Sequence, residues 1–420
     1  MSRRRLVLAL CVSAAASIAP ARAQAPSTGA AAIVRSPAFV AASDFLGRDY
    51  DRFVRELVTL TEIPAPPFKE QTRAAAFLQM LRASGLADVE MDAEGNVMGV
   101  RRGADRTTLA VLAHLDTVFP EGTDVQVRRD GTKLRAPGVG DDTRGLALML
   151  TIIRAMDAAH LQTPHDILFV GNVGEEGEGD LRGAKYLLVK GKYKDRIKSF
   201  ISIDGGDQSN ITNGALGSKR YRVTFKGPGG HSFGAFGLSN PIHALGRAVA
   251  TISNFDVPRE PKTTFNVGRI GGGTSVNSIP FEAWMEVDMR SSDAASLQAL
   301  DARFNKAVDD AARDEDARWN QRVLTVDKAL VGNRPAGQTS STAPIVLAAV
   351  SVTRALGLPV SLDEGSTDAN YPMSLGIPAI TIDGGGRGTD AHALSESFDS
   401  TDSWKGAERA LLLAIALAQQ

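Results

Sequence analysis

The sequence predicts an α/β protein, a mostly parallel sheet with helices on its faces, carrying a smaller inserted α+β (ferredoxin-like) unit. Two apolar runs, Thr108-Leu-Ala-Val-Leu-Ala113 and Asp166-Ile-Leu-Phe-Val-Gly-Asn-Val173, are too short for helices and dense enough to be strands covered on both faces. Strand-like and helix-like segments then alternate as far as Asp204, the pattern of a parallel sheet flanked by helices. Beyond Ser218 the texture changes. Arg220-Tyr-Arg-Val-Thr-Phe-Lys226 and Phe281-Glu-Ala-Trp-Met-Glu-Val-Asp-Met289 alternate polar with apolar residues, as strands with one wet face do.

Taken in order, residues 1–23 read as a signal peptide. Arg3-Arg4-Arg5 is a basic start, Leu6 to Ala19 an apolar stretch, and Ala21-Arg22-Ala23 an A-x-A site before Gln24. Export to the periplasm or medium is expected, and Ser2-Arg3-Arg4 also fits a twin-arginine signal loosely. The apolar stretch is shorter than the ~20 residues that a spanning helix needs, so no membrane association is expected after cleavage. The sole cysteine, Cys11, lies within this segment, which leaves no disulfide and no thiolate ligand in the mature chain. Residues 24–37 read as a poorly ordered leader.

Apolar positions from Phe45 to Val58 recur at helical spacing, giving a helix over about 43–60 that Ile63-Pro-Ala-Pro-Pro67 stops. A second helix runs from about Glu70 to Ala83 and closes on Gly85. A third apolar run, Ser199-Phe-Ile-Ser-Ile203, delivers Asp204. Within the insert, helices are expected over about 241–253 and 293–313, with a last strand near Gln321 to Asp327. A helix near 343–356, a strand at Pro378-Ala-Ile-Thr-Ile-Asp383 and a final helix over 401–418 restore the α/β pattern.

Without Arg3, Arg4, Arg5 and Arg22 the 47 basic residues become 43 against 48 acidic ones, a mature balance of −5. Nucleic acid is therefore not an expected partner. A mature chain of about 400 residues exceeds what one core usually organises, so two domains are expected. No Walker loop, strand-linked G-x-G-x-x-G or G-x-S-x-G elbow occurs.

The chemistry-bearing residues stand just after the predicted strands, where open α/β sheets bind ligands. His114 and Asp116 follow the first run, Glu175 and Glu176 the second, and Asp204 the third; His392 lies in a loop beyond Asp383, and Gly140-Asp141-Asp142 precedes a helix. Imidazole and carboxylate together suit zinc, and two divalent ions can share one carboxylate and one hydroxide. Of two adjacent glutamates, one can bind metal while the other moves a proton. Each residue also has a plainer reading: Asp142 as a helix cap, His114 as a strand-end histidine, Asp204 as a turn cap with Asp207 as its neighbour and rival. His160, His165 and His243 carry no partner pattern and stay unassigned.

The order H-x-D, Gly138-Val-Gly-Asp141-Asp142-Thr-Arg-Gly145, E-E, Asp204 and a late histidine resembles the M20 metallopeptidases, particularly the peptidase T and carboxypeptidase G2-like branch. Gly227-Pro-Gly-Gly-His-Ser-Phe-Gly234 resembles that branch's histidine loop, so the resemblance spans nearly the whole mature chain. It implies a zinc-peptidase catalytic domain of residues 24–217 and 329–420, with 218–328 as a lid and dimerisation domain. It implies two Zn²⁺, with Mn²⁺ or Co²⁺ as alternatives. His114 and Asp204 would bind one, Glu176 and His392 the other, and Asp141 would bridge them.

The resemblance further implies that Glu175 is the general base, that Asp116 holds the second nitrogen of His114, and that Asp141-Asp142 is a cis peptide. His231 would donate to the oxyanion, often from the partner subunit, and Asn277 and Arg290 would hold the substrate's carbonyl and carboxylate. Gly365-Ser366-Thr-Asp368 would line the same cleft. Arg144 stands where many relatives have Lys, and is expected to tune the site rather than remove it. The expected function is an exported dizinc exopeptidase for di- and tripeptides, acting as a homodimer. An N-acyl amino acid amidohydrolase or glutamate-type carboxypeptidase is the alternative, and a non-catalytic peptide-binding protein the alternative of another class.

Overall fold

The structure, a computed structural model, describes residues 27–205 and 210–419. The predicted signal peptide and Asp207 lie outside them. The spatial order of the nine-stranded sheet starts with Ala87–Met91, Val97–Arg101, Asp166–Asn172, Thr108–His114 and Ile197–Ile203. It continues through Ala379–Ile382, Asn210–Ala215 and Gly337–Gln338, and Ser361–Gly365 also pairs with Asn210–Ala215. The strands 166–172, 108–114, 197–203 and 379–382 pair in parallel, and antiparallel pairs close both sides.

Every residue of Thr108–His114 and of Asp166–Asn172 is buried, because successive side chains enter opposite cores. Leu109, Val111 and Ala113 pack on one face with the nearly all-buried helix Thr143–Ala158 and the C-terminal helix Ser403–Leu417. Ala110 and Leu112 face a smaller cluster with Leu187, Tyr193 and Met373. This double coverage explains why the runs lack polar alternation.

The second sheet is antiparallel throughout, in the order Thr263–Gly272, Glu282–Ser291, Gly217–Lys226, Thr325–Arg334. Helices Pro241–Ser253 and Ala294–Arg318 cover it, and Val223, Phe225, Met285 and Val287 meet Leu245 and Phe304 in a separate core. Strand Glu282–Ser291 alternates intermediate and buried residue by residue, as its sequence pattern predicts.

Three local expectations are revised. The leader is helical over Ser27–Val34, because Ala30, Ile33 and Val34 reach the main core, where this helix touches the helices Pro344–Ala355 and Ser403–Leu417. The helix expected over 43–60 is two helices, Pro37–Arg48 and Tyr50–Thr61, parted at Asp49, whose carboxylate accepts from Arg154 Nε at 2.9 Å. The last strand of the second sheet runs to Arg334 rather than stopping near 327, which carries that arginine to the main sheet's edge. Among the described residues, no helix is long and apolar enough to cross a membrane.

Candidate metal centre

The register His114↔Asn172 ends two parallel strands side by side, so His114 and, three residues beyond Asn172, Glu175 emerge at one edge. Asp204 follows strand Ile197–Ile203 at the same edge. Asp141 arrives from the loop before helix Thr143–Ala158 across a cis Asp141-Asp142 peptide. Asp142 caps that helix by accepting from the Gly145 amide at 3.2 Å, and its other oxygen accepts from the His114 amide at 3.2 Å.

Asp141 is the meeting point of the site. His114 Nε2 lies 2.9 Å from its Oδ1, and His392 Nε2 lies 3.1 Å from its Oδ2 and 2.8 Å from Glu176 Oε1. His114, Asp141 and Glu176 each offer a ligand atom within 4.8 Å of the others. Asp204 lines the same cavity of about 430 Å³ with Asp141, Glu175, Glu176 and His392. Burial and then Asp141 push the Asp204 carboxyl up to about 6. Burial opposes charge on His114, yet the hydrogen bond and charge of Asp141, with Asp142 and Asp116, hold its imidazolium well above the usual range. Hydrogen bonds to Asp141 and Glu176 lift His392 to about 10.

These shifts share one cause. Carboxylates crowded into a buried pocket demand positive charge where the two imidazoles sit. Two nitrogen donors aimed at opposite oxygens of one carboxylate, with further carboxylates beside them, form a donor set that divalent zinc or its relatives fit.

The surroundings differ from expectation at Asp116. Its main-chain carbonyl, rather than its carboxylate, faces His114 Nδ1, at 3.0 Å; the carboxylate lies 3.7 Å from that nitrogen. The carboxylate instead accepts from the amides of Glu175 at 3.0 Å and Glu176 at 2.8 Å, and so shapes the turn that presents both glutamates. A carbonyl can only accept, so Nδ1 of His114 carries a proton and Nε2 faces the pocket. Glu175 is buried, and burial raises its carboxyl well above the ordinary range, with Arg334 opposing and Glu176 adding to the effect.

Of the substrate-site expectations, Arg290 lines the cavity, as do Ser366 and Thr367. Asp368 is buried and accepts from Asn172 Nδ2 at 2.6 Å. His231 and Asn277 are not among the cavity's lining residues. His231 ends a two-residue strand paired with Ser278–Ile279, and Asn277 lies in the turn just before that partner strand, where its carbonyl accepts from the Ser232 amide at 2.9 Å. His231 Nδ1 accepts from the amides of Phe233 and Gly234, both at 3.2 Å, which leaves Nε2 as the proton-bearing nitrogen. Arg144 is buried with its Nη2 bonded to Asp383 at 3.1 Å, and it lines a neighbouring cavity with Asp141 and Asp204.

Three residues missed by the sequence reading build the site. Glu396 accepts from the amides of Gly138, Gly140 and Asp141 at 2.8, 2.8 and 3.0 Å, which fixes the Asp141 loop. Its only signal was its place four residues after His392. Arg334 and Arg220 enter from the second sheet with no motif around them, and both line the cavity.

A family model described as peptidase family M20/M25/M40 matches residues 110–416. The chain belongs to this family. This M20 chain is 26% identical over 339 residues to a succinyl-diaminopimelate desuccinylase of Nitrosospira multiformis, covering 75% of its own length and 85% of the relative's. An aminopeptidase of Bacillus cereus shares the fold with a TM-score of 0.71 at 21% identity, over 88% of this chain and 99% of the other. A dinuclear metal-binding M20 peptidase of Bacillus subtilis does so with a TM-score of 0.65 at 17% identity, over 88% and 99%. The M20 architecture of a catalytic domain plus a dimerisation domain matches the two sheets described above. As an M20 member the protein is a metal-dependent hydrolase.

Proposed function

We propose that this M20 hydrolase is an exported exopeptidase that cleaves amide bonds of di- and tripeptides with two divalent ions, zinc by donor preference. The convergence of His114 and His392, from opposite ends of the chain, on the two oxygens of Asp141 is the observation that carries the reading. His114 and Asp204 would hold one ion, His392 and Glu176 the other, and Asp141 would lie between them. Bound there, the ions polarise the substrate carbonyl and make water a nucleophile near neutral pH.

The remaining work falls to side chains. Glu175, whose burial strengthens its hold on a proton, takes one from the attacking water and passes it to the leaving amine. Arg290 receives the substrate's carboxylate as a planar fork. His231 donates from Nε2 to the carbonyl oxygen once the unit spanning 218–328 closes or a second subunit supplies it. Phe233 and Phe236 follow this histidine in sequence, Val276 adjoins Asn277 beside it, and all three are strongly exposed, which supports a homodimer formed through that unit.

Purified protein beginning at Gln24 should hydrolyse short peptides, lose the activity to a chelator and regain it with Zn²⁺ or Co²⁺. Recovery of that mature form from the exported fraction tests the signal peptide. Full activity in Glu175→Ala would remove the base assignment. The second reading, an N-acyl amino acid amidohydrolase or glutamate-type carboxypeptidase, is favoured by the arginines in the cavity wall and by the desuccinylase relative. Comparing free-amine with N-acylated substrates separates the two.

A further inference from the structure

We propose that Gln321 is a positioning residue for His231, its side-chain amide clamping the far end of the arch whose main chain orients that imidazole and keeps Nε2 as the proton donor. The assignment rests on the oxyanion role proposed above for His231 and adds the residue on which that role depends. Gln321 is not among the residues lining the catalytic cavity, so its effect on the reaction passes through the histidine.

Residues 231–239 form an arch between two fixed ends. At its start His231 pairs with Ser278, and the Ser232 amide is held by the Asn277 carbonyl at 2.9 Å. Successive turns carry the chain onward, with the amides of Ala235, Phe236 and Leu238 donating to the carbonyls of His231, Phe233 and Ala235 at 2.8, 3.3 and 3.2 Å. Gln321 closes the far end. Its Oε1 accepts from the Ser239 amide at 3.0 Å and from the Ser239 hydroxyl at 3.2 Å, and its Nε2 donates to the Gly237 carbonyl at 3.0 Å. Gly237 has a φ of 107°, where a side chain would be strained, so the carbonyl that meets Gln321 is presented from a conformation that favours glycine. One primary amide thus satisfies three groups of the arch.

The clamp is itself well supported. Gln321 lies just beyond helix Ala294–Arg318, after the left-handed Asn320, and its main-chain amide donates to the Asp316 carbonyl at 2.9 Å. Trp319 Nε1 donates to the buried Glu315 at 3.1 Å, and the indole meets the ring of Phe236 on the arch edge-on, with 5.4 Å between centroids. Glu315 also accepts from the amide of Asn240, which caps the next helix, Pro241–Ser253, at 3.3 Å.

The imidazole has no comparable support of its own. His231 is exposed, and among the described residues only the Phe233 and Gly234 amides bond its ring, both at Nδ1. A neutral imidazole takes its tautomer from the bond that one nitrogen makes. The aim of Nε2 is therefore set by two main-chain amides in the middle of the arch, and their placement depends on both ends staying closed. A donor fixed in advance stabilises developing charge more than one that must reorient.

Two readouts on the zinc-loaded mature protein test this. The first is a histidine-selective ¹⁵N spectrum at about pH 8, above the ordinary imidazole range, with the His231 signals identified by their loss in His231→Gln. Wild type is expected to show one dominant tautomer, protonated at Nε2, and Gln321→Ala a mixture of both. Gln321→Glu keeps the acceptor for Ser239 and loses the donor to Gly237, so it should fall between them; it also carries the comparison alone if the alanine variant does not fold. The second is kinetic. On the most rapidly cleaved short peptide, Gln321→Ala should lower kcat about tenfold or more with KM within about twofold, and should cause no further loss in the His231→Ala background. A merely structural role would lower activity equally in both backgrounds.

Unchanged His231 signals in both Gln321 variants, or an equal loss in both backgrounds, overturns the proposal. Full activity in His231→Ala would instead remove the oxyanion role, and a wild type that cleaves no peptide would remove the exopeptidase reading. In either case the ¹⁵N comparison still decides whether Gln321 orients the ring.

Discussion

Arg334, the last residue of the second sheet's edge strand, holds Glu175 twice, through Nη1 to the carboxylate at 3.1 Å and through Nη2 to the main-chain carbonyl. Nη1 also reaches Ser366 at 3.0 Å, so one guanidinium ties the base to the cleft loop. A lysine cannot make these planar contacts together. Arg334→Lys should therefore lower kcat about 10–100-fold, the scale of outer contacts in metal sites. Glu175→Gln should lower it more, about 10²–10⁴-fold, with metal content unchanged by elemental analysis.

Asp116 predicts a separable effect, because its two oxygens serve the two amides of Glu175 and Glu176. Asp116→Asn keeps one acceptor and leaves a buried N–H without its carboxylate. Urea unfolding of the metal-free variant should show a loss of about 1–3 kcal/mol. A midpoint unchanged from wild type would show that the turn does not depend on this carboxylate.

Asp141→Asn removes the charge that both histidines share. Elemental analysis should find about two ions per chain in wild type and fewer than one in the variant, with hydrolysis lost in parallel. A variant that keeps both ions would place the bridging role elsewhere.

Asp368 sets a pH dependence in the metal-free protein. Burial, with Asp116 and Asp204 adding and His114 and Asn172 opposing, raises its carboxyl from 3.8 to about 7. Between those values the folded chain keeps a proton that the unfolded chain has released. Its contribution to stability is thus complete below pH 3.8 and disappears as pH rises through about 7. Asp368→Asn should flatten the fall in denaturation midpoint over this window; a slope identical to wild type would count against the assignment.

Much of the architecture was legible because burial on two faces leaves a one-dimensional trace. The unbroken apolar run at Leu109 to Ala113 and the strict alternation across Glu282 to Met289 each reported their surroundings directly. The helix at Ser27–Val34 did not, because Ala30 and Ile33 are stabilised by the C-terminal helices, and no local pattern encodes a contact that distant. The break at Asp49 was hidden for a similar reason, since its partner Arg154 lies in another helix.

By itself the sequence determined the α/β class, the inserted antiparallel unit and the set of histidines and carboxylates at the strand ends, since each depends on residue type and short-range order. Only the tertiary structure decided which of these groups touch. It turned the Asp116 carboxylate to the glutamate amides, seated Glu396 under the Asp141 loop, and brought Arg220 and Arg334 across from the second sheet. Such contacts depend on where separate segments meet in space, and hydrogen bonding between residues far apart in the chain imposes no periodicity on either one.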